Sequence, residues 1–451
     1  MQRPRRRHHL PGRPAGGGRR RALRGQAHGP RPGRRVRPRS GGRLNRHRTA
    51  MLSRRALSAV LQSLLAAELR VARGRAGSDT SLPRGLPPAW PESMPIGTGA
   101  EGLGCDSLDT LWLAAAVNEM FHLHEAGCDT DLPAEATFGG WMDRIEAGWR
   151  SGVAALTLTT SGTTGQPKRC RHAGEALLTE AAYLGRLFRD RRRVVTLVPA
   201  HHAFGLLFAA LLPDALGVPH VDATGFGASE VARTLAPGDL VVTVPERWLW
   251  LERSLPGWPE DVEGAVSTAP CPPPLIAALH ERGLAGMTEV YGSSETAGVA
   301  VRRWPEAAYT LMPHWDFAAP LDDATPEILH RSGRRAGLPD RIRSREGRRF
   351  CLAGRRDGAV QVGGINVHPD RVAERLRGRP GVHEAAVRLM RPDEGTRLKA
   401  FVVPEAGADV AVLRDDLSGW IRAELPVAER PVAIAFGPRL PTGPLGKASD
   451  W

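Results

Sequence analysis

Residues 156–169 read LTLTTSGTTGQPKR, a strand-like run that passes into a turn rich in Thr, Ser and Gly. It lies at the end of VAALTLTT (153–160), an apolar, β-branched run that suits a buried strand. The run passes directly into Thr159, Thr160, Ser161, Gly162, Thr163, Thr164 and Gly165, and a cation follows at Lys168. Hydroxyls, accessible backbone N–H groups and one point charge are what polyphosphate oxygens need around them. The loop is not of the G-x-x-x-x-G-K-[ST] type, because Pro167 stands before the lysine.

Outward from this loop, apolar runs and helical patterns alternate. VVTLVP (194–199), DLVVTVP (239–245) and MTEVYG (287–292) read as strands, and EALLTEAAYLGRLF (175–188) and LIAALHERG (275–283) as helices. That alternation predicts a layered α/β domain over residues 151–353, with charged, hairpin-like sequence from 330 to 353. A smaller α+β lobe is expected over 354–451. Its strands are HEAAVRLM, KAFVVP and VAIAFG, and its helices PDRVAERLR and VLRDDLSGWIRAEL. Residues 51–150 read as all-helical. Apolar positions 57, 60, 61, 64, 65 and 69 form one helical face, and a long loop spans 74–102. A second helix, capped by Asp106 or Ser107, is expected to turn Leu108, Leu111, Ala115 and Phe121 inward, and a third covers 137–149.

Composition narrows the function classes. The chain has 451 residues, which suits two or three domains, and carries a formal charge of +14. Residues 1–50 hold 17 Arg and no Lys, Asp or Glu, so residues 51–451 together carry −3. A nucleic-acid reading therefore rests on this tail alone. The tail has no apolar period, is expected to be disordered, and reads best as sequence upstream of the natural start at Met51. A basic arm and a transit-like presequence are the other two readings. Five cysteines without a C-x-x-C pair predict free thiols, and with no signal peptide or long apolar run a cytoplasmic protein without membrane insertion is expected. Only three of the 62 basic residues are lysines: Lys168, Lys399 and Lys447. Arg is a planar fork and Lys a compact point charge, so each lysine is a candidate for a role Arg cannot fill. Lys399, opening KAFVVP, reads as a surface residue.

LTLTTSGTTGQPKR resembles the phosphate loop of the adenylate-forming superfamily, and further stretches follow in that family's order. PAHHAFG (199–205) is similar to the P-x-x-H-x-x-G segment at the acyl pocket, with His202 in the histidine position. STAP (267–270) resembles the adenine loop and puts Ala269 there, although Ser267-Thr268 replaces a Gly pair. VYGSSET (290–296) resembles the Y-G-x-T-E segment: Tyr291, Gly292, Ser293, Ser294, and Glu295 as the Mg²⁺ carboxylate. GLPDRI (337–342) stands in the place of T-G-D, which makes Asp340 the ribose acceptor. LAGRRDGAVQVGGINVHPDRV (352–372) resembles the hinge region, with Arg355 at the ribose and Asp357 as the hinge. LPTGPLGKAS resembles the loop whose lysine, here Lys447, contacts the acyl carboxylate and the α-phosphate.

The resemblance implies an enzyme that uses ATP and Mg²⁺ to adenylate a small carboxylic acid, then passes the acyl group to a phosphopantetheine thiol of CoA or of an acyl carrier protein. The compact size resembles the short ligases of aryl polyene (xanthomonadin-type) pathways, which implies a hydroxyaryl acid such as 4-hydroxybenzoate or 4-hydroxycinnamate. A fatty-acyl-CoA ligase and a non-catalytic scaffold with a degenerate ligase fold are the alternatives. One departure bears on the second step: Gln361 stands where the family usually has a lysine. Residues 104–123, GCDSLDTLWLAAAVNEMFHL, resemble the G-x-D-S-L segment of acyl carrier proteins, which implies 4′-phosphopantetheine on Ser107 and a carrier-like region over 51–150. A plain helix N-cap is the competing reading of the same residues.

Overall fold

A computed structural model describes residues 51–75, 82, 86–98, 102–160, 168–318, 326–391, 393–441 and 451. Expectations for residues 1–50, for Ser161, Gly162, Thr163, Thr164 and Gly165, and for Lys447 lie outside these residues.

Three helices come first: α1 (Arg54–Arg75), α2 (Ser107–Phe121) and α3 (Phe138–Arg150). Asp106 caps α2 by accepting from the Asp109 N–H at 2.8 Å, and Thr137 caps α3. The buried face of α2 is Leu113, Ala114, Val117, Met120 and Phe121. The expected inward set is corrected: of its four residues only Phe121 is buried, while Leu108 is 77% and Leu111 56% exposed. These helices have no core of their own. Leu57, Leu61, Phe121 and Trp141 belong to one continuous apolar cluster with Leu158, Phe208 and Phe350. The 51–150 region is therefore a layer of the α/β domain, not a free-standing bundle.

Next comes an antiparallel hairpin, β1 (Ala155–Thr160) with β2 (Lys168–Ala173), leading into α4 (Gly174–Leu187). After β3 (Arg193–Thr196) the chain forms a helical segment: α5 (Ala203–Gly205), a π-turn at Leu206–Leu211, and α6 (Leu212–Leu216), with Pro213 tolerated near its start. Then follow β4 (His220–Asp222), α7 (Ala228–Thr234), β5 (Asp239–Thr243), α8 (Pro245–Ser254), β6 (Glu263–Val266), α9 (Pro273–Glu281), β7 (Gly286–Ser293), β8 (Ala297–Arg303) and β9 (Tyr309–Leu311). A small sheet of β10 (Trp315–Phe317), β11 (Glu327–His330) and β12 (Arg335–Gly337) precedes β13 (Asp340–Glu346) and β14 (Arg349–Arg355).

Nine of these strands form one sheet in the order β13-β14-β9-β8-β7-β6-β5-β3-β4. From β4 to β7 neighbours are parallel, and from β7 onward antiparallel. The parallel strands are apolar on both sides because helices cover both faces. Val194, Leu240 and Val242 point into the cluster under α1, α4 and the π-turn. Val195, Val241 and Val266 point into the cluster with Trp248, Leu251 and Leu279 of α8 and α9.

The C-terminal lobe contains β15 (Val360–Val362), β16 (Ile365–Val367), α10 (Pro369–Arg377), β17 (Val382–Leu389), β18 (Leu398–Pro404), α11 (Val410–Glu424) and β19 (Pro431–Phe436), with its own apolar core. Lys399 is not a free surface residue. It is largely buried and pairs with Glu394 at 2.6 Å. All five cysteines are free thiols, and among the described residues no helix is long and apolar enough to cross a membrane.

Candidate active site

The strand order reverses around β3: the chain goes from β3 outward to β4, then returns across it to β5. Loops leaving the carboxyl ends of strands on either side of such a reversal diverge and leave a crevice for a ligand. The loop after β3 carries Pro199, His202 and Gly205. Gly205 is required there, because a methyl group on it would overlap the Pro199 carbonyl oxygen. His202 is exposed, and its ring lies 4.3 Å from that of His201. His201 is fixed from α1 by the Ser63 hydroxyl, 2.8 Å from its Nδ1, and burial pushes its pKa down to about 3. Desolvation lowers the His202 pKa as well, so the loop presents two uncharged imidazoles at neutral pH.

The next loops along the sheet are Ser267–Pro270, after β6, and Ser293–Thr296, between β7 and β8. Ser267 ties these neighbours together by donating to the Val290 carbonyl at 2.7 Å. Thr268 has φ +77, a left-handed conformation that suits the glycine it replaces better than a β-branched residue. Ala269 is half-buried beside it. In the β7–β8 turn, the Ser293 and Thr296 hydroxyls are 3.1 Å apart, and Gly292 leaves no room for a Cβ against the Ala297 carbonyl.

This turn presents Glu295 to β2. Thr160 and Lys168 are register partners, so the phosphate loop leaves and rejoins the β1–β2 hairpin at one point. From that point the Lys168 ammonium donates to Glu295 Oε1. Burial pulls the Glu295 carboxyl up, but Lys168 and the Ser293 hydroxyl outweigh it and hold the group below the usual carboxylate range. The Lys168 pKa is raised by the same pair.

Two residues that the sequence did not single out hold the Glu295 backbone. His172 Nε2 lies 2.8 Å from the Ser294 carbonyl, and Arg334 donates to the Glu295 carbonyl. A further set converges on β7. The Tyr291 hydroxyl donates to Asp340 Oδ2 at 2.8 Å, and Asp340 is the register partner of Arg355. Arg355 in turn grips Asp357 at 2.9 and 2.6 Å, which holds the Asp357 pKa down at about 2. Lys168–Glu295 and Tyr291–Asp340–Arg355–Asp357 are thus two linked sets, carried by β7 and the turn that follows it. The β15–β16 hairpin reaches the loop after β6: a methyl group on Gly364 would sit 3.1 Å from Thr268 Oγ1. Gln361 lies in β15 and bonds Asn366 across that hairpin.

Ser107 is the exposed first residue of α2, next to the capping Asp106.

Glu295 is an ionised, half-exposed oxygen ligand next to the loop expected to bind polyphosphate. Mg²⁺ typically takes one or two protein carboxylates and completes its shell with water and phosphate oxygens, so the residues present fit it.

Residues 124–334 match the AMP-binding enzyme family, and residues 372–447 its C-terminal domain. A 4-coumarate–CoA ligase of Rhodobacter capsulatus is 41% identical over 78% of this chain and 91% of its own length. The chain belongs to the AMP-binding enzymes. A second AMP-binding relative, the 4-coumarate–CoA ligase of Halorhodospira halophila, is 36% identical over 86% of this chain and 97% of its own. Among solved AMP-binding folds, the amide bond synthetase of Marinactinospora thermotolerans superposes with TM-score 0.53 at 19% identity, covering 88% of this chain and 97% of that one. An o-succinylbenzoate CoA synthetase of Bacillus subtilis gives 0.51 at 18% identity, with 66% and 68% covered. The chain is an AMP-forming ligase of this family. Its fold is a large layered α/β domain followed by a smaller α+β domain.

Proposed function

We propose that this ligase activates a 4-hydroxyaryl acid of the 4-hydroxycinnamate (4-coumarate) class and transfers it to CoA. The carrying observation is the Lys168–Glu295 and Tyr291–Asp340–Arg355 array at the carboxyl ends of the parallel strands. The relatives named for 4-coumarate support the acid class.

In the first step a carboxylate oxygen of the acid attacks the α-phosphorus of ATP. A new O–P bond forms, the bond to pyrophosphate breaks, and acyl-AMP remains. Two anions must meet, so the site needs positive charge where charge builds on phosphorus. Lys168 stands at the foot of the phosphate loop for the polyphosphate, and Lys447 serves the acyl carboxylate and α-phosphate. Asp340 accepts from the ribose hydroxyls, with Tyr291 fixing the carboxylate and Arg355 beside it. Ala269 lies along the adenine, while Thr160, Ser161, Gly162, Thr163, Thr164 and Gly165 cradle phosphate oxygens. His202 faces the acyl crevice from the β3 loop. Glu295 would hold Mg²⁺, which when bound neutralises charge on the departing pyrophosphate.

In the second step the CoA thiolate attacks the acyl carbon, a thioester forms and AMP leaves with its bonding electrons. The C-terminal lobe turns about Asp357 between the steps. Incubating the chain with ATP, Mg²⁺, CoA and 4-coumarate, 4-hydroxybenzoate or palmitate, and weighing the products by mass spectrometry, tests the reading. 4-Coumaroyl-CoA as the dominant product is expected. Palmitoyl-CoA as the dominant product would replace the reading by the fatty-acyl one. A thioester formed only with a phosphopantetheinylated carrier protein would replace the acceptor.

A further inference from the structure

We infer that His172 is a positioning residue for the metal carboxylate, coupling the phosphate-loop hairpin to the peptide that carries Glu295; the inference rests on the reading of Glu295 given above. On β2 alternate side chains share a face, so Lys168, Cys170 and His172 all point the same way. Lys168 takes the Glu295 side chain, and His172 takes the carbonyl of the preceding residue, Ser294, at 2.8 Å. One strand face thus grips a single dipeptide at two points.

The imidazole is 1% exposed, so its direction is set by packing rather than by solvent. It lies with Leu177, Glu180, Trp315 and His330 around a void no larger than one water molecule. A carbonyl can only accept, so His172 Nε2 carries the proton and donates. Arg334 donates to the next carbonyl, that of Glu295, from the β11–β12 side. The two carbonyls belong to the peptide units on either side of the Glu295 Cα, so a fixed donor on each sets the orientation of both planes. The Cα–Cβ direction of Glu295 then follows from the two planes that meet at its Cα. A carboxylate that must meet a cation and polyphosphate together gains from being fixed before they arrive.

The experiment replaces His172 by Gln, which keeps an N–H donor near the Nε2 position, and by Met, which fills similar volume without one. Mn²⁺ is titrated into each protein in the presence of a non-hydrolysable α,β-methylene analogue of ATP, and free Mn²⁺ is read by electron paramagnetic resonance. Thermal melting of the unliganded proteins is recorded alongside. His172→Met is expected to bind Mn²⁺ about tenfold more weakly and His172→Gln within about twofold of the parent, the size of one donor to a fixed acceptor. A residue that merely fills space would lower the melting temperature in the Met variant and leave Mn²⁺ affinity unchanged, and that outcome overturns the inference. Equal weakening in Gln and Met does so too. Should the Met variant not fold, His172→Asn, whose amide is too short to reach Ser294, carries the same expectation, and parent-like Mn²⁺ binding there is equally fatal. Glu295→Gln separates the two layers. Parent-like Mn²⁺ affinity in that variant removes the reading of Glu295 and this inference with it, whereas weak binding there with no effect at His172 removes the inference alone.

Discussion

The Tyr291 hydroxyl donates to Asp340 Oδ2 at 2.8 Å, joining β7 to the far edge strand of the nine-stranded sheet. The bond leaves Oδ1 of Asp340 to accept from a ligand. Burial, then the Asp340 charge, push the tyrosine pKa well above its ordinary value, so the hydroxyl stays a donor at any working pH. Tyr291→Phe should raise the KM for ATP about fivefold with a smaller change in kcat, matching the roughly 1 kcal/mol net worth of one hydrogen bond. Pyrophosphate exchange at varied ATP measures it, and an unchanged KM would detach Asp340 from nucleotide binding.

The Gly205 position tests the β3 loop. Its backbone is helical, so the need for glycine comes from the Pro199 carbonyl and not from dihedral strain. Gly205→Ala should destabilise the protein by about 3 kcal/mol or displace the His202 loop. Denaturant unfolding and activity read the two together. A fully stable, fully active alanine variant would contradict the packing described.

Glu180 gives a pH prediction with a definite sign. It is fully buried, both carboxylate oxygens face the Gly298 N–H at 3.0 and 3.1 Å, and burial lifts its pKa to about 8. A folded-state value above the unfolded one means that the native state holds the extra proton between about pH 4.5 and 8. This group's contribution to stability is therefore full below about pH 4.5 and declines as pH rises toward 8. Glu180→Gln mimics the protonated form and should flatten that decline. Melting temperatures of parent and variant compared from pH 5 to 8.5 provide the check. Parallel curves would show Glu180 ionised in the fold.

Lys447→Ala should lower acyl-AMP formation by at least about a hundredfold, the scale of removing one preorganised charge from a reacting phosphate, while ATP still binds. Single-turnover formation of acyl-AMP, with calorimetry for ATP, separates the two. Parent-like adenylation would remove the lysine from the chemistry.

Much of the layered fold was legible because parallel strands buried on both faces are continuous apolar runs, as in DLVVTVP. Other parts were hidden for definite reasons. The second strand of the hairpin, KRCRHA, buries only Cys170 and His172, so its alternation is masked by three exposed cations and no apolar stripe marks it. His172 consequently gave no signal. The inward face of α2 was misread because LWLAAAV is apolar around the whole helix and offers no polar face to set its rotation. Burial is fixed instead by which side meets α1 and β1. In the site, Lys168, Glu295, Tyr291, Asp340 and Arg355 were found through short sequence segments, and the structure gathers them. Arg334 sits among ordinary arginines and was visible only once β12 folded back on the Glu295 turn.

The most direct measurement is ATP–pyrophosphate exchange by the chain beginning at Met51, run against hydroxycinnamic, hydroxybenzoic and fatty acids. Exchange that depends on Mg²⁺ and is strongest with a hydroxycinnamic acid is expected. ATP binding without exchange for any acid would contradict it, leaving a ligase fold that holds the nucleotide but does not form acyl-AMP.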